Sequence, residues 1–329
     1  MRPFAYARAG DEADAVRLAG PDAAYLAGGT NLIDYMRLDV LRPTALVDIN
    51  DLQGRHGRIE AGADGLRLGA LARMSDVAAD PAVRRGWPVI AESLDFAASP
   101  QLRNMASLGG NVLQRTRCMY FRDVSWTACN KRNPGSGCAA LEGVNRKHAV
   151  LGTSEHCIAT YPGDFAQALV ALDARVELVG PAGARAIRFE ELHRAPGDTP
   201  HLETSLKPGE LITGFSVPGG PWARRSLYLK VRDRQSYEFA VASAAVALEL
   251  DGDTVREARI ALGGVATRPW RAHEAEAALR GRPLTEDAAR AAAEAAFAAA
   301  RPRGQNAFKV ELGRRTLVRA LLQARAMEL

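Results

Sequence analysis

Residues 23–37 read AAYLAGGTNLIDYMR, and this stretch decides how the first part of the chain folds. Its apolar start predicts a strand, the glycine pair predicts a turn, and LIDYMR predicts a short helix. A capped amphipathic helix at residues 11–20 precedes the stretch, and ALVDIND at residues 45–51 predicts a second buried strand. The first fifty residues are therefore predicted to form a small α/β unit.

The glycine turn in this stretch has the composition of an anion-binding turn. Gly28 and Gly29 lack the side chains that would keep the backbone away from a phosphate. Thr30 and Asn31 add polar groups, and free amides at the start of a helix favour an anion. An ordinary strand-to-helix turn explains the same residues without a ligand, and neither a G-x-G-x-x-G fingerprint nor a Walker lysine is present.

A second turn, ASLGGN at residues 106–111, repeats these ingredients with Ser107, Gly109, Gly110 and Asn111. Two glycine pairs flanked by hydroxyl and amide side chains suggest one extended, phosphate-bearing ligand held from two sides. A dinucleotide with a pyrophosphate meets that description.

Composition limits the classes of function. The 43 basic and 38 acidic residues are spread along the chain without a block of like charge, which argues against nucleic-acid binding. No apolar run is long enough for a membrane span, so we expect no membrane insertion. The first residues lack the apolar core of a signal peptide, and we expect synthesis and assembly in a reducing cytoplasm.

The remainder of the chain predicts an α+β protein. Two short strands and a helical stretch are expected within residues 57–113, and a helix followed by a strand within residues 164–180. From about residue 224 the pattern changes to two strands joined at residues 251–253, followed by three helices. This change predicts a separate C-terminal domain.

All four cysteines of the chain fall within one 40-residue window: Cys118, Cys129, Cys138 and Cys157. Disulfides would need an oxidising compartment. The gaps contain no C-x-x-C pair, which argues against a zinc knuckle, whereas a long wrapping loop can hold an iron–sulfur cluster. Cluster, zinc and disulfides all stay open on spacing alone, and His148 or His156 is a conceivable substitute ligand, although a hydrogen-bonded loop histidine is the simpler interpretation.

Several motifs in order resemble one known family. YLAGGTNLIDYMR, QLRNMASLGGNV, YPGDFAQALVALDA and YLKVRDRQSYEFAVASAAVAL, with ALGGVATRPWRAHEAEAAL further on, resemble the FAD-binding subunit of the xanthine dehydrogenase family of molybdenum hydroxylases. The likeness covers nearly the whole chain. It implies a two-part FAD-binding domain of the vanillyl-alcohol-oxidase/PCMH type at residues 1–220, with parts 1–56 and 57–220, and a C-terminal domain of the CO-dehydrogenase-flavoprotein type at residues 224–329.

About fifty residues separate Asn111 from Asp164, many more than in most members of this family, and all four cysteines lie between them. Such an insertion, here residues 114–160, resembles the flavin subunits of periplasmic aldehyde oxidoreductase and of 4-hydroxybenzoyl-CoA reductase, and is closer to the former. In both, the insertion carries a [4Fe-4S] cluster. The resemblance therefore implies that the four cysteines are its ligands.

The resemblance also implies the contacts with FAD. The first turn would hold the pyrophosphate, the second would close on the dinucleotide, Asp164 would accept hydrogen bonds from the ribose or adenine side, and Lys230 would lie near the flavin ring. Asp164 as the N-cap of the next helix, and Lys230 as a solvated residue at a strand end, are the alternatives without a ligand. The full set implied is Leu26, Ala27, Gly28, Gly29, Thr30, Asn31, Leu32, Ile33, Ser107, Gly110, Asn111, Asp164, Ile212 and Lys230.

The function implied is electron transfer within a molybdenum-containing aldehyde oxidoreductase. A molybdopterin-containing large subunit would oxidise aldehydes to carboxylic acids, and a small subunit would pass electrons through [2Fe-2S] centres to FAD in this chain, in a heterotrimer. The alternatives are the flavin subunit of a 4-hydroxybenzoyl-CoA-reductase-like enzyme and, in another class, a zinc-stabilised binding protein without redox chemistry. The assembled protein would stay in the cytoplasm or leave for the periplasm with a partner that carries the export signal.

Overall fold

The computed structural model describes residues 1–329 and contains twelve strands and thirteen α-helices. The strands are β1 (Ala5–Arg8), β2 (Ala23–Leu26), β3 (Ala45–Asp48), β4 (Ile59–Gly62), β5 (Gly65–Gly69), β6 (Arg175–Gly180), β7 (Gly183–Arg188), β8 (Leu211–Pro218), β9 (Ser226–Val231), β10 (Ala242–Asp251), β11 (Thr254–Gly263) and β12 (Trp270–Arg271). The helices are α1 (Glu12–Leu18), α2 (Leu32–Arg37), α3 (Gln53–His56), α4 (Met74–Ala79), α5 (Pro81–Gly86), α6 (Pro88–Asp95), α7 (Pro100–Met105), α8 (Leu108–Val112), α9 (Met119–Arg122), α10 (Phe165–Ala171), α11 (His273–Leu279), α12 (Glu286–Ala296) and α13 (Phe308–Arg325).

The first sheet is the small α/β unit that the sequence predicts. Strands β1, β3 and β2 pair in parallel in that order, with Ala5 and Ala23 both opposite Ala45. Helix α1 begins after Asp11, whose carboxylate accepts a hydrogen bond from the amide of Asp14 at 2.8 Å. Parallel strands place the ends of β2 and β3 on one edge, where the first glycine turn emerges.

The second sheet is antiparallel and has the strand order β4-β5-β8-β6-β7. One face is covered by the helices between β5 and β8, among which α6 and α10 are buried along most of their length. The three phenylalanines Phe165, Phe189 and Phe215 pack edge-on or tilted within this core, with ring centres about 6 Å apart. Strand β8 begins beside the cleft described below.

The third sheet has the order β12-β11-β10-β9 and supports helices α11, α12 and α13. Strand β10 is almost continuously buried and rich in alanine, which lets α6 and α10 approach one face and α13 the other. The predicted hairpin between β10 and β11 is confirmed, and Gly252 takes the positive φ of 57° that its turn requires.

The insertion that carries the cysteines is mostly irregular, with α9 as its one helix. The segment just before α13 and its first turn hold it against the C-terminal helices. Asn306 Nδ2 donates to the carbonyl of Ala149 at 3.0 Å, and Lys309 Nζ donates to that of His148 at 3.1 Å. Asn306 and Lys309 are both fully buried, so these contacts lie inside the protein.

The predicted fold class, α+β with an irregular cysteine region followed by a hairpin and three helices, is confirmed. The helices of the chain include none with the length and apolar character of a membrane span.

Candidate functional site

A cleft of about 210 Å³ lies between the first sheet and the five-stranded sheet. The two glycine turns and the start of β8 form its walls, together with residues from α2. Of the residues implied by the motifs, the cleft is lined by Ala27, Gly28, Gly29, Thr30, Asn31, Leu32, Ser107, Gly110 and Ile212.

The first turn presents unused donors. The backbone amides of residues 28–31 donate to no acceptor within the protein. Gly29 takes a φ of 72°, a conformation that L side chains rarely adopt, so a glycine suits this position of the turn. Four free amides at the start of α2 form a binding surface for an anion such as a phosphate.

Gly28 is required for a second reason, the close approach of the two turns. A Cβ at this position would lie 1.9 Å from the carbonyl oxygen of Met105, which precedes the second turn. Arg73 Nη1 donates to the same oxygen at 2.5 Å, and Asn31 Nδ2 donates to the carbonyl of Gly110 at 3.2 Å. The two turns are therefore held in direct contact and form one structure.

The second turn differs from the first because its amides are used internally. The amides of Gly109 and Asn111 donate to backbone carbonyls, and that of Gly110 donates to the hydroxyl of Ser107 at 3.3 Å. Asn111 follows Gly110 in the chain without lining the cleft itself; its Nδ2 donates to Met74 Sδ at 3.4 Å, and its buried Oδ1 has no partner. An orphaned buried acceptor is costly unless a ligand supplies the donor, so Asn111 fits a polar ligand group.

The apolar side of the cleft was only partly predictable. Ile212 is buried in its wall, whereas Ile33 is 39% exposed beside Gly29, and Leu26 is half-buried at the end of β2. Gly109 of the predicted second turn also lines the cleft, and the set of FAD contacts implied by the resemblance leaves out the remaining lining residues: Tyr25, Tyr35, Leu41, Ile49, Ala70, Leu71, Leu113, Arg115, Glu210 and Leu211.

Asp164 and Lys230 are brought together with each other, outside the residues that line the cleft. Lys230 Nζ lies 2.8 Å from Asp164 Oδ2, and their side chains are 1% and 4% exposed. Tyr228 donates to the other carboxylate oxygen at 2.6 Å, and Lys230 also donates to the carbonyl of Phe96 at 2.9 Å. Burial is the main cause, and the negative charge of Asp164 the second, that raises the pKa of Tyr228 well above its ordinary value. Tyr228 therefore stays protonated and acts as a donor.

This geometry rejects the interpretation of Lys230 as a solvated residue. It also rejects a capping role for Asp164, which occupies the N-cap position of α10 without a side-chain cap hydrogen bond. Helix α10 packs against α8, the helix of the second glycine turn, so the buried ion pair is connected to the cleft through one helix contact.

The four cysteines are free thiols in this structure, so no disulfide joins them. Cys129 and Cys138 face each other in an isolated antiparallel bridge. Cys118 packs into the same small apolar cluster as Cys129 and into a second one with Cys138. His148 Nε2 lies 3.2 Å from Cys118 Sγ, while His156 is exposed and contributes its carbonyl to Asn130 at 3.0 Å.

Two opposing effects act on these thiols. Burial raises the pKa of Cys118 to about 12 and that of Cys157 to about 11, and it also raises the pKa of Cys138. Backbone amides that donate toward sulfur lower the same pKa values; they belong to Tyr120 and Phe121 at Cys118, to Ala140, Leu141 and Ile158 at Cys138, and to Ala159 at Cys157. No group of three or more His, Cys, Asp or Glu side chains is close enough to hold a metal ion, so the cluster stays a prediction.

The chain matches two protein families in succession. Residues 2–220 match the FAD binding domain in molybdopterin dehydrogenase, and residues 227–324 match the CO dehydrogenase flavoprotein C-terminal domain. This chain therefore belongs to the FAD-binding subunits of the molybdenum hydroxylases, and it is a flavoprotein subunit of an oxidoreductase.

Individual relatives agree with this assignment. The chain is 47% identical over 329 residues to the aldehyde oxidoreductase FAD-binding subunit PaoB of Escherichia coli, covering 99% of both chains. It is 30% identical to the carbon monoxide dehydrogenase medium chain of Afipia carboxidovorans, covering 98% of this chain and 97% of that one. The solved carbon monoxide dehydrogenase of Hydrogenophaga pseudoflava superposes with a TM-score of 0.77 at 27% identity, over 99% of both chains. The family resemblance seen in the motifs is confirmed.

Proposed function

We propose that this chain is the FAD-bearing, electron-transfer subunit of a molybdenum-containing aldehyde oxidoreductase. The observation that carries the proposal is the turn at residues 28–31, whose four free amides line a cleft at the start of a helix. The 47% identity to an aldehyde oxidoreductase subunit over the whole chain supports the aldehyde class.

FAD fits the residues of the cleft. The amides of residues 28–31 would hold the pyrophosphate, with Ser107, Gly110 and Asn111 closing from the second turn and Ile212 contacting an apolar part of the cofactor. When bound, FAD supplies an electron carrier that exchanges one or two electrons with its partners. The work of this chain is to bind and orient it, and we assign no catalytic side chain to it.

Asp164 and Lys230 would extend the site beyond the cleft, on the side of the second turn. Asp164 would serve as a fixed acceptor for the ribose or adenine side, and Lys230 would place a cation near the flavin ring. Their mutual ion pair supports a fixed orientation for both groups, because each holds the other in a site that excludes water.

The four cysteines would hold a [4Fe-4S] cluster. The chemistry of the donor set supports this: four reduced thiols lie in one insertion, and amides donate toward sulfur at Cys118, Cys138 and Cys157. Thiols whose pKa burial raises are poor thiolates by themselves, and the positive charge of iron would supply the missing stabilisation. Zinc bound by the same thiols is the alternative that metal analysis separates.

The partners would be a molybdopterin-containing large subunit, where the aldehyde is oxidised to a carboxylic acid, and a small subunit with [2Fe-2S] centres. The chain would divide into a FAD-binding domain at residues 1–220, containing the insertion at residues 114–160, and a C-terminal domain at residues 224–329. The complex would assemble in the cytoplasm. It would then be exported if one of the partner subunits carries an export signal.

An absorption spectrum combined with metal analysis tests the proposal. The purified protein should show the two bands of oxidised flavin above a broad iron–sulfur absorption, with about four irons per chain. Aldehyde added to the assembled complex should bleach both features. A colourless protein with one zinc per chain would refute the proposal, and a flavin spectrum without iron would refute the cluster alone.

A further inference from the structure

A continuous chain of hydrogen bonds joins the cysteine insertion to the turn with the free amides. Arg117, the residue before Cys118, donates from Nη2 to the side-chain oxygen of Asn31 at 3.0 Å. The side-chain amide of Asn31 donates in turn to the carbonyl of Gly110 at 3.2 Å. One asparagine side chain thus touches the insertion on one side and the second glycine turn on the other.

Arg117 is held in this position by several groups. Its Nη1 donates to Asp34 on helix α2 at 3.0 Å, and its guanidinium lies 5.0 Å from the ring centre of Phe239 and 5.8 Å from that of Tyr35. The side chain is 26% exposed, and it also lines a second cavity of about 400 Å³ between the insertion and the C-terminal domain. Arg117 therefore connects the insertion, to which it belongs, with the turn that lines the cleft.

The shape of the guanidinium group matters here. Two of its nitrogens reach two acceptors in different directions, Asn31 and Asp34, and a lysine ammonium lacks this fixed fork. Arg122 also donates to Asp34, at 2.8 and 3.2 Å, but donates no hydrogen bond to Asn31. Arg122 is therefore a matched control for Arg117. Both arginines belong to the insertion and donate to Asp34, but only Arg117 also donates to the first glycine turn.

We infer that Arg117 is a positioning residue that orients Asn31 and so couples the order of the cysteine insertion to the binding of FAD. The inference rests on the proposed function, since it assigns FAD to the cleft. Coupling of this kind is reciprocal. FAD in the cleft stabilises the insertion around Cys118, and disorder in the insertion weakens the hold of the turn on FAD.

The test compares Arg117→Met with Arg122→Met in the full chain, purified with the subunits that accompany it. FAD is removed, and the dissociation constant for added FAD is measured from the quenching of its fluorescence. Arg117→Met should raise the dissociation constant about tenfold or more, because a charge-assisted hydrogen bond to the turn is lost. Arg122→Met should change it less than about threefold, since Asn31 keeps its contacts.

Two further measurements separate positioning from general loosening of the fold. In the Asn31→Ala background, Arg117→Met should have little further effect on the dissociation constant, whereas general loosening would add to it. Hydrogen exchange of residues 117–122 should slow when FAD binds to the wild type and should not respond to FAD in Arg117→Met. Arg117→Lys keeps the positive charge and can reach one of the two acceptors, so its dissociation constant for FAD should lie between those of the wild type and Arg117→Met. This variant replaces Arg117→Met in the test if Arg117→Met does not fold.

An unchanged dissociation constant in Arg117→Met, or an equal loss in Arg122→Met, would overturn the inference while leaving the proposed function intact. Full additivity with Asn31→Ala would overturn it as well. A wild-type chain that binds no FAD would instead refute the proposed function, and the inference with it.

Discussion

Replacing Lys230 by methionine should destabilise the protein by about 3 kcal/mol. The pair that Lys230 forms with Asp164 is 2.8 Å long, and both side chains are almost completely buried. Removing one partner of a buried pair leaves an uncompensated charge, which costs about 3–5 kcal/mol. We expect the lower end of this range because Tyr228 keeps its hydrogen bond to the remaining carboxylate.

Urea unfolding of the flavin-free chain, followed by tryptophan fluorescence, measures this change in the free energy of unfolding. The transition to analyse is the one in which the C-terminal sheet unfolds. The double variant Lys230→Met/Asp164→Asn removes both charges and should recover about half of the lost stability or more. Asp251→Asn is the matched control, because Asp251 pairs with Arg256 on the surface with 66% of its side chain exposed, and it should leave the unfolding curve unchanged.

A loss below about 1 kcal/mol for Lys230→Met would refute the reasoning, since it is the value of a solvated ion pair. A double variant that is less stable than either single variant would refute it in a different way. That result would mean that the pair is a strong net stabiliser of the native state and that the burial of its charges is fully compensated.

Three other outcomes are expected. Gly28→Ala should weaken FAD binding at least about tenfold in a fluorescence titration, because its Cβ would lie 1.9 Å from a backbone carbonyl oxygen, whereas Gly20→Ala, with open space around it, should bind normally. Cys138→Ser should lose most of the iron found by metal analysis, and Val124→Ser, at an exposed apolar position of the insertion, should keep it. Burial lowers the pKa of Lys309 to about 7 from its ordinary 10.5, so between these values the unfolded chain binds a proton that the folded chain has released. Stability in urea should therefore rise as the pH increases from 7 toward 10, and Lys309→Met should lack this contribution; an equal slope in both proteins would contradict it.

The sequence predicts the glycine turns well because their chemistry is local. A turn that needs a positive φ, as at Gly29, or a close approach of two backbones, as at Gly28, restricts the residue type at that position. The helix after Asp11 and the hairpin at Gly252 are predictable for the same reason. Residues whose identity is determined by their own backbone can be recognised without knowledge of the fold.

The residues that the sequence fails to place depend on distant partners. Nothing in the neighbourhood of Lys230 indicates that it is buried, because its partner Asp164 lies 66 positions earlier in the chain. Likewise, Arg117 is one of many arginines, and only the tertiary structure brings it to Asn31 across 86 positions. The apolar lining of the cleft cannot be predicted for a different reason. An isoleucine or leucine at a strand end gives the same sequence pattern whether its side chain faces the core or a cofactor.

The hydrogen bonds from Asn306 and Lys309 to the insertion have a consequence for how the protein is made. Asn306 and Lys309 hold carbonyls of Ala149 and His148 that were synthesised 157 and 161 residues earlier. Since a ribosome adds residues in order, the insertion lacks this support until nearly the whole chain has emerged. The insertion therefore gains this part of its support only after the segment before α13 and the start of α13 have been made. A chain truncated before residue 304 would therefore lack the hydrogen bonds that hold the carbonyls of Ala149 and His148.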